Sequence, residues 1–548
     1  MPEQITVGEL TARFLEACGV DTAFGVISIH NMPILDAFGQ RNTIRFVPSR
    51  GEAGAVNMAD AWARVRGQLG VAITSTGTAA GNAAGAMVEA QTAGTPLLHL
   101  TGQIERPYLD RRWSYIHEAT DQPGMLKAVS KAYFRIWSPE TALGVLQEAA
   151  RVALSAPSGP VSVEIPIDVQ EALVDLPAAI APLPLLVGQP DDAALDAFAE
   201  ILAKAKRPII WAGGGARHAT DEIRALADLG FAVVTSVQGR GVLPEDDART
   251  LGAFNLSGPV EAFYANCDAM LVVGSRLRGN ETLKYTLRLP RPLLQIDADP
   301  QAHGRGYTAD HFLAGDAKLA LAGLAARLKS RLKVAAGFGA AIATARTEAE
   351  AQLRKGLGPY EQLVDALQRS VPRDYVWVRD VTVSNSTWGN RMLRLFGARN
   401  GVHALGGGIG MGAAMGVGAA VAARGRKTIV LSGDGGLMLN VGELATAAQE
   451  QVDMLLLVMN DRGYGVIRNI QDARFGGRKY YVDLHTPQFA DLARSLGWRH
   501  TRLDDVSQAG AVLAKAVAET GPRMVEVDMV AIGPYASAFA GPPVRKAS

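Results

Sequence analysis

Two carboxylates, each at the end of an apolar run, are the residues of this chain best placed to do chemistry. Thr428-Ile-Val-Leu431 reads as a buried strand and runs into Ser432-Gly433-Asp434-Gly435-Gly436, after which Leu437 to Glu450 reads as a helix. A second buried strand, Met454 to Met459, runs into Asn460-Asp461-Arg462-Gly463-Tyr464-Gly465. Glycines that open a helix let backbone N–H groups approach phosphate oxygens at the electropositive helix start. Asp434 and Asp461 offer hard oxygens of the kind that bind Mg²⁺ or Ca²⁺. Two strand ends of this kind predict a site for a metal bound to phosphate. A plain strand–helix–strand unit, with Asp434 only capping the helix, would explain the first stretch but not the second.

A third carboxylate, Glu52, follows the apolar strand Ile44 to Val47 and the turn Ser49-Arg50-Gly51. It opens a helix whose apolar face is Ala55, Met58, Ala59 and Trp62. A glutamate in a first helical turn can simply be a favourable dipole partner. Its setting is more specific than that. The next strand, Gly70 to Ile73, ends in a loop of small residues running from Thr74 to Asn82.

Gly-Asp-Gly followed about 27 positions later by an Asn-Asp pair resembles the diphosphate motif of thiamine-diphosphate enzymes. The resemblance implies Asp434, the Asp461 side chain and the backbone carbonyl of Gly463 as Mg²⁺ ligands, with Gly433, Gly435, Gly436, Tyr464 and Gly465 beside the cofactor. The family usually has Asn where this chain has Asp461, and Arg462 or Arg468 is placed to offset the extra charge. The stretch around Glu52 resembles the pyrimidine-binding domain of the same family, whose Arg-His-Glu supplies the glutamate that bonds the aminopyrimidine ring. By that resemblance Glu52 takes this role, Gly51 stands in place of the usual His, and Asn82 joins the cofactor contacts. Such a carboxylate favours the imino tautomer that removes the thiazolium C2 proton, and the cofactor then acts as nucleophile and electron sink. Arg379 to Asn385 lies where the family contacts the diphosphate and pyrimidine, which brings in Thr382 and Ser384. Gly407-Gly408-Ile409-Gly410-Met411-Gly412 resembles the segment in which a bulky apolar residue wedges between the cofactor's two rings. Ile409 matches the wedge, with Gly407, Gly408 and Met411 as neighbouring contacts. The wedge is needed because only a bent cofactor brings the imino nitrogen to C2.

The pocket is marked by two histidines. Phe24 to His30 resembles the loop of benzaldehyde lyase whose active-site histidine falls at His30. Ile116 to Gln122 resembles a family segment that carries a pocket glutamine, at the position held here by His117. Histidines in loops are commonly just solvated; in these two loops they are candidates to hydrogen-bond a substrate carboxylate or relay a proton near neutral pH. The adjacent histidine pair of pyruvate decarboxylases is absent after residue 100, which argues against that subgroup.

The elements that must hold these residues alternate between helices and short apolar strands, which predicts an α/β protein with parallel sheets. With 548 residues there is room for about three domains. The expected layout is three doubly wound parallel-sheet domains. Residues 1–176 form the pyrimidine-binding domain with the catalytic Glu, 190–335 a central Rossmann-like domain, and 358–535 the diphosphate- and Mg-binding domain. Residues 536–548 form a C-terminal tail or lid. Pro177, Pro182, Pro184 and Pro190 mark a linker, and residues 335 to 358 read as a connecting helix. Gly213-Gly214-Gly215 follows a central strand and is a tight turn by default. The resemblance allows FAD or ADP in the central domain, as in some members, but these residues assign neither.

Net charge is +1 and charged residues make up 20%, so nothing points to nucleic acid or an anionic membrane as partner. Two cysteines, Cys18 and Cys267, exclude a disulfide scaffold and fit a reducing, cytoplasmic compartment. Met1-Pro-Glu-Gln-Ile-Thr6 has no signal-peptide pattern. Gly401 to Ala423 carries no charge and is long enough to span a bilayer, but its Gly and Ala content predicts a tightly packed core helix instead.

The resemblance covers nearly the whole chain, in the layout of the acetolactate synthase, benzoylformate decarboxylase and benzaldehyde lyase group. It implies a homodimer at least, commonly a homotetramer, with each active site built from two subunits. The expected activity is decarboxylation of a 2-oxo acid, with possible addition of the product carbanion to an aldehyde or second oxo acid. The alternative is a lyase for a 2-hydroxy ketone or 2-hydroxyacyl-CoA. A non-catalytic nucleotide-binding homologue is the reading from another class, and Glu52 with the Asp434/Asp461 pair argues against it.

Overall fold

A short apolar strand followed by a helix that packs on it can return parallel to the strand before it, and the sheet is then covered on both faces. This pattern generates the three large sheets of the computed structural model, which describes residues 3–541; Gln4–Thr6 and Leu173–Asp175 pair apart from them as a small antiparallel sheet. The last part of the expected tail, 542–548, lies outside the described residues.

The first sheet has six parallel strands in the order Arg45–Pro48, Thr22–Gly25, Gly70–Thr74, Leu97–Gln103, Pro160–Pro166 and Ala132–Arg135. The third sheet repeats that plan with Gly401–His403, Val376–Arg379, Thr428–Gly433, Met454–Asn460, Arg523–Asp528 and Arg499–Leu503. In both sheets the first strand lies between the second and the third, so the winding reverses there. Crevices open at the carboxyl ends of strands at such a reversal, and ligands bind in them. In the first sheet the reversal sits between the ends of Thr22–Gly25 and Gly70–Thr74; in the third it sits between Val376–Arg379 and Thr428–Gly433.

A five-stranded parallel sheet lies between these in sequence, ordered Ala232–Thr235, Pro208–Ala212, Ala269–Val273, Leu293–Asp297 and His311–Ala314. Its glycine run is a packing device. A Cβ on Gly213 would sit 2.6 Å from the Ser275 Cβ, one on Gly215 would sit 2.9 Å from the Gly274 Cα, and the Gln238 side chain covers Gly214. The connecting helix spans Phe338–Arg354.

The uncharged Gly/Ala stretch becomes the helix Gly412–Ala422, in which every residue is buried. It packs on the helix Glu52–Arg66, and a Cβ on Gly418 would meet the Met58 Cα at 2.5 Å. Small residues let the two backbones touch, and one apolar cluster runs through both helices and both outer sheets. Among the described residues no helix is long and apolar enough to cross a membrane.

The single helix expected over Leu437 to Glu450 is instead broken. Helix Asp434–Leu437 passes through a tight turn at Met438–Asn440 before a second helix, Glu443–Gln449. Gly442 lies at the break, where a Cβ would come 3.1 Å from the Arg50 Cβ, and Asn440 leaves the helical path to donate to the Gly410 carbonyl at 2.8 Å. The Glu443 carboxylate then accepts from the Arg50 backbone N–H at 3.1 Å. Contacts with two other segments outweigh the local helical preference.

Candidate functional site

Asp434 and Asp461 stand at the ends of neighbouring strands, paired residue for residue up to Gly433 and Met459. The Asp461 N–H donates to Asp434 Oδ1 at 3.3 Å. The other oxygen, Asp434 Oδ2, is buried and has no hydrogen-bond partner. Burial raises the Asp434 pKa. Burial, and then the facing Asp434 carboxylate, push Asp461 up to about 7. Two confronted carboxylates with an orphaned buried oxygen are stable as a charged pair only with a cation between them. The extra charge of Asp461 is partly balanced by Arg468, whose Nη1 donates to the Asp461 carbonyl at 3.3 Å and lies 3.8 Å from Oδ2. Arg462 turns the other way, toward Asp528, 4.0 Å off.

Glycines keep this corner open. A side chain on Gly465 would collide with the Asp461 carboxylate, and one on Gly463 would come 2.7 Å from Arg468 Nη2. Gly435 leaves room for the Tyr464 ring, 3.0 Å from where its Cβ would be, and Gly436 faces the Gly410 N–H in the same way at 3.3 Å. Gly433 extends the strand up to Asp434. The donor set, the orphaned oxygen and the glycine cradle fit a divalent cation with a diphosphate.

Across the winding reversal, Thr382 Oγ1 accepts from the Asn385 N–H at 2.9 Å. Ser384 Oγ accepts from the Tyr535 hydroxyl at 2.8 Å, and that hydroxyl accepts from Trp388 Nε1 at 3.0 Å. Tyr535 also stacks on Tyr360 with ring centroids 4.2 Å apart. The segment that leads into the expected tail is thus strapped beside the third sheet, and within the tail the Ser537 N–H donates to the Gly356 carbonyl at 3.1 Å. Ile409 projects from its glycine loop with 39% of its surface exposed. Gly407 and Gly410 have φ of +84° and +82°, values an L side chain resists, so the loop needs glycine at both. Gly408 leaves room for the Met411 side chain, which sits 2.5 Å from where a Gly408 Cβ would be.

In the N-terminal half, Glu52 and Asn82 come together: the Asn82 amide donates to Glu52 Oε2 at 3.1 Å. The two histidines also meet, with ring centroids 5.1 Å apart in an edge arrangement. His30 is buried, its Nδ1 lies 3.3 Å from Ser75 Oγ, and burial and then the neighbouring His117 lower its pKa, so the ring is neutral at pH 7. His117 is exposed and has φ +68°.

Three residues inside the stretches singled out above have supporting roles that the sequence reasoning did not assign. Buried Gln122 accepts from Thr76 Oγ1 at 3.0 Å and the Gly77 N–H at 2.6 Å, and donates to buried Glu164 at 2.5 Å. It holds the loop that leads to Asn82. Asp121 caps the helix that starts at Gln122, and that local signal was legible. Asp380 is fully buried at the end of Val376–Arg379; burial raises its pKa to about 6, against bonds from several N–H groups. Ser75 carries no sequence signal.

Three family models match the chain. They are described as the N-terminal TPP binding domain, the central domain and the C-terminal TPP binding domain of thiamine pyrophosphate enzymes, and they cover residues 5–125, 195–324 and 382–527. A Pseudomonas aeruginosa protein described as "Probable 2-ketoarginine decarboxylase AruI" is 32% identical over 530 residues, 95% of this chain and 94% of that protein. The acetolactate synthase large subunit of Parasynechococcus marenigrum is 28% identical, over 96% of this chain and 88% of its own. The Escherichia coli acetolactate synthase isozyme 1 large subunit is 26% identical, over 96% and 94%.

Proposed function

The chain belongs to the thiamine pyrophosphate enzyme family, and from that premise we propose that it is a Mg²⁺-dependent decarboxylase of a 2-oxo acid, able to pass the product carbanion to a proton or a carbonyl acceptor. The observation that carries the metal reading is the orphaned Asp434 Oδ2 facing Asp461. Asp434, Asp461 and the Gly463 carbonyl would hold the cation, and Thr382 and Ser384 would contact the diphosphate. Bound thiamine diphosphate supplies a carbon nucleophile and an electron sink. Glu52, which accepts from Asn82, would bond the pyrimidine and exchange a proton with it at its carboxylate. Neutral His30, with Ser75 and His117, offers donors for a substrate carboxylate. Ile409 would set the bend between the cofactor's two rings.

The relatives named as acetolactate synthases support a carboligating outcome, and the relative named for 2-ketoarginine supports a cationic 2-oxo acid as donor. Glu105, near enough for its charge to act on His30, is an acidic group suited to such a donor. Apolar side chains stand exposed around both halves, among them Ile27, Ile29, Trp113, Leu439 and Phe475. Their exposure supports burial against a second copy, in keeping with a homodimer or homotetramer.

The test is calorimetric titration of metal-free protein with thiamine diphosphate, with and without Mg²⁺. CO₂ release is then measured from pyruvate, benzoylformate and 2-ketoarginine. Mg²⁺-dependent binding with CO₂ release supports the proposal and ranks the donors. Binding without CO₂ from any of them moves the activity to lysis of a 2-hydroxy ketone or 2-hydroxyacyl-CoA. Absence of Mg²⁺-dependent binding refutes the metal assignment.

A further inference from the structure

The loop that carries Ile409 leaves the strand Gly401–His403 and enters the helix Gly412–Ala422. With glycines in left-handed conformations at 407 and 410, its backbone N–H groups cannot pair within a regular element, so buried ones need partners from elsewhere. They find them in two carboxylates. The Leu405 and Gly406 N–H groups donate to the two oxygens of Glu89, at 2.7 and 2.6 Å. The Gly410 and Gly412 N–H groups donate to Asp380, at 3.0 and 3.2 Å. Glu89 belongs to the helix Thr78–Ala93 of the first sheet's domain, and Asp380 to the third.

Both carboxylates are buried, Glu89 at 1% and Asp380 at 0% exposure. Each has further partners that fix it. Glu89 accepts from Arg64 at 3.0 Å, and Arg64 in turn donates to the His403 carbonyl at 2.7 Å, just before the loop. Asp380 accepts from the Val381 N–H at 2.7 Å and from Ser432 Oγ at 3.3 Å. Between the two anchored ends only Gly407, Gly408 and Ile409 are left without such a hold. A buried carboxylate is costly unless bonded, so these loop amides and their carboxylates depend on one another.

We propose that Glu89 and Asp380 are positioning residues that clamp opposite ends of this loop, so that the first and third domains together set where Ile409 stands. The consequence for the cofactor rests on Ile409 being the wedge; the clamp itself does not. It also ties the seat of the ring-bending residue to the contact between the Glu52–Arg66 and Gly412–Ala422 helices, so a shift of one domain against the other would move it.

Hydrogen–deuterium exchange of the full-length, cofactor-free protein tests the clamp, read on peptides covering 403–413. Glu89→Gln and Asp380→Asn keep the side-chain shape and remove an acceptor. Exchange there should accelerate on the order of tenfold in each, the loss of one charge-assisted bond per amide. Glu526→Gln, at a buried carboxylate of the third sheet that bonds Asn460 and His500 and no amide of the loop, should stay within about twofold of wild type. The second readout is circular dichroism of the cofactor's tautomer bands at saturating thiamine diphosphate and Mg²⁺, where the clamp variants should change the spectrum in the same sense as Ile409→Ala. Unchanged exchange in the clamp variants, or equal acceleration in Glu526→Gln, overturns the proposal. The Glu89 arm decides it where Asp380→Asn does not fold. Faster exchange in the variants, with no cofactor binding by wild type, upholds the clamp and refutes the functional reading of Ile409.

Discussion

Gly465→Ala separates folding from metal binding at this site. Gly465 opens the helix Gly465–Arg474 and its φ is not in the left-handed region, so alanine is compatible with the backbone and favours the helix by up to about 1 kcal/mol. The new methyl group would, however, land on the Asp461 carboxylate, with Asp461 Cγ at 3.0 Å and Val383 Cγ2 at 3.1 Å. Val383 and the backbone behind it are packed, so the carboxylate must turn away, by about 1 Å or more. Metal sites tolerate ligand displacements of only about 0.2 Å. Losing Asp461 as a ligand should therefore weaken Mg²⁺-dependent binding of thiamine diphosphate by about 100-fold, or about 2.7 kcal/mol. Calorimetric titration with and without Mg²⁺ measures this, and thermal unfolding of the metal-free variant should show a melting temperature equal to or above wild type. Wild-type affinity in a folded Gly465→Ala protein would show that Asp461 does not ligate the metal. A collapse of stability would mean that the local packing argument is wrong.

Glu52→Gln keeps an acceptor for Asn82 but cannot exchange a proton. Cofactor binding should stay near wild type while turnover falls by about 10²- to 10⁴-fold, and steady-state kinetics retaining more than a tenth of the rate would sink the role given to Glu52. Asp380, raised from an ordinary value near 3.9 to about 6, favours the protonated folded state. Its contribution is fully present below about pH 4 and is lost as pH rises through 6, up to about 3 kcal/mol in all. Urea unfolding of metal-free protein between pH 4 and 7 should show a loss up to about 3 kcal/mol smaller in Asp380→Asn than in wild type, the part that remains coming from groups such as Asp461, also raised by burial. Tyr535→Phe removes one hydroxyl that serves both Ser384 and the buried Trp388 indole, and unfolding should cost about 1–3 kcal/mol less than in wild type. A change below about 0.5 kcal/mol would show that the segment around Tyr535 is not held by this hydroxyl.

The positions of Asp434 and Asp461 at adjacent strand ends were legible in the chain because both signals are local: an apolar run, a polar end and glycines that open a helix. The same holds for Glu52 at a helix start and for the Gly/Ala helix that packs on it. The family follows from these motifs, and the matched domains bear it out. Leu437 to Glu450 was misread because its break is imposed by Arg50 and Gly410, far away in sequence. Glu89 and the role of Gln122 were hidden, and Asp380 was legible only as one polar group of the stretch Arg379 to Asn385, since such a residue acquires its meaning only when distant N–H groups are aimed at it. The sequence alone determined which chemistry the strand ends could carry, through local spacing and backbone freedom. Tertiary structure alone decided which buried carboxylates are left with an oxygen to give and which are spent on holding loops, because that depends on what the fold brings within hydrogen-bond reach.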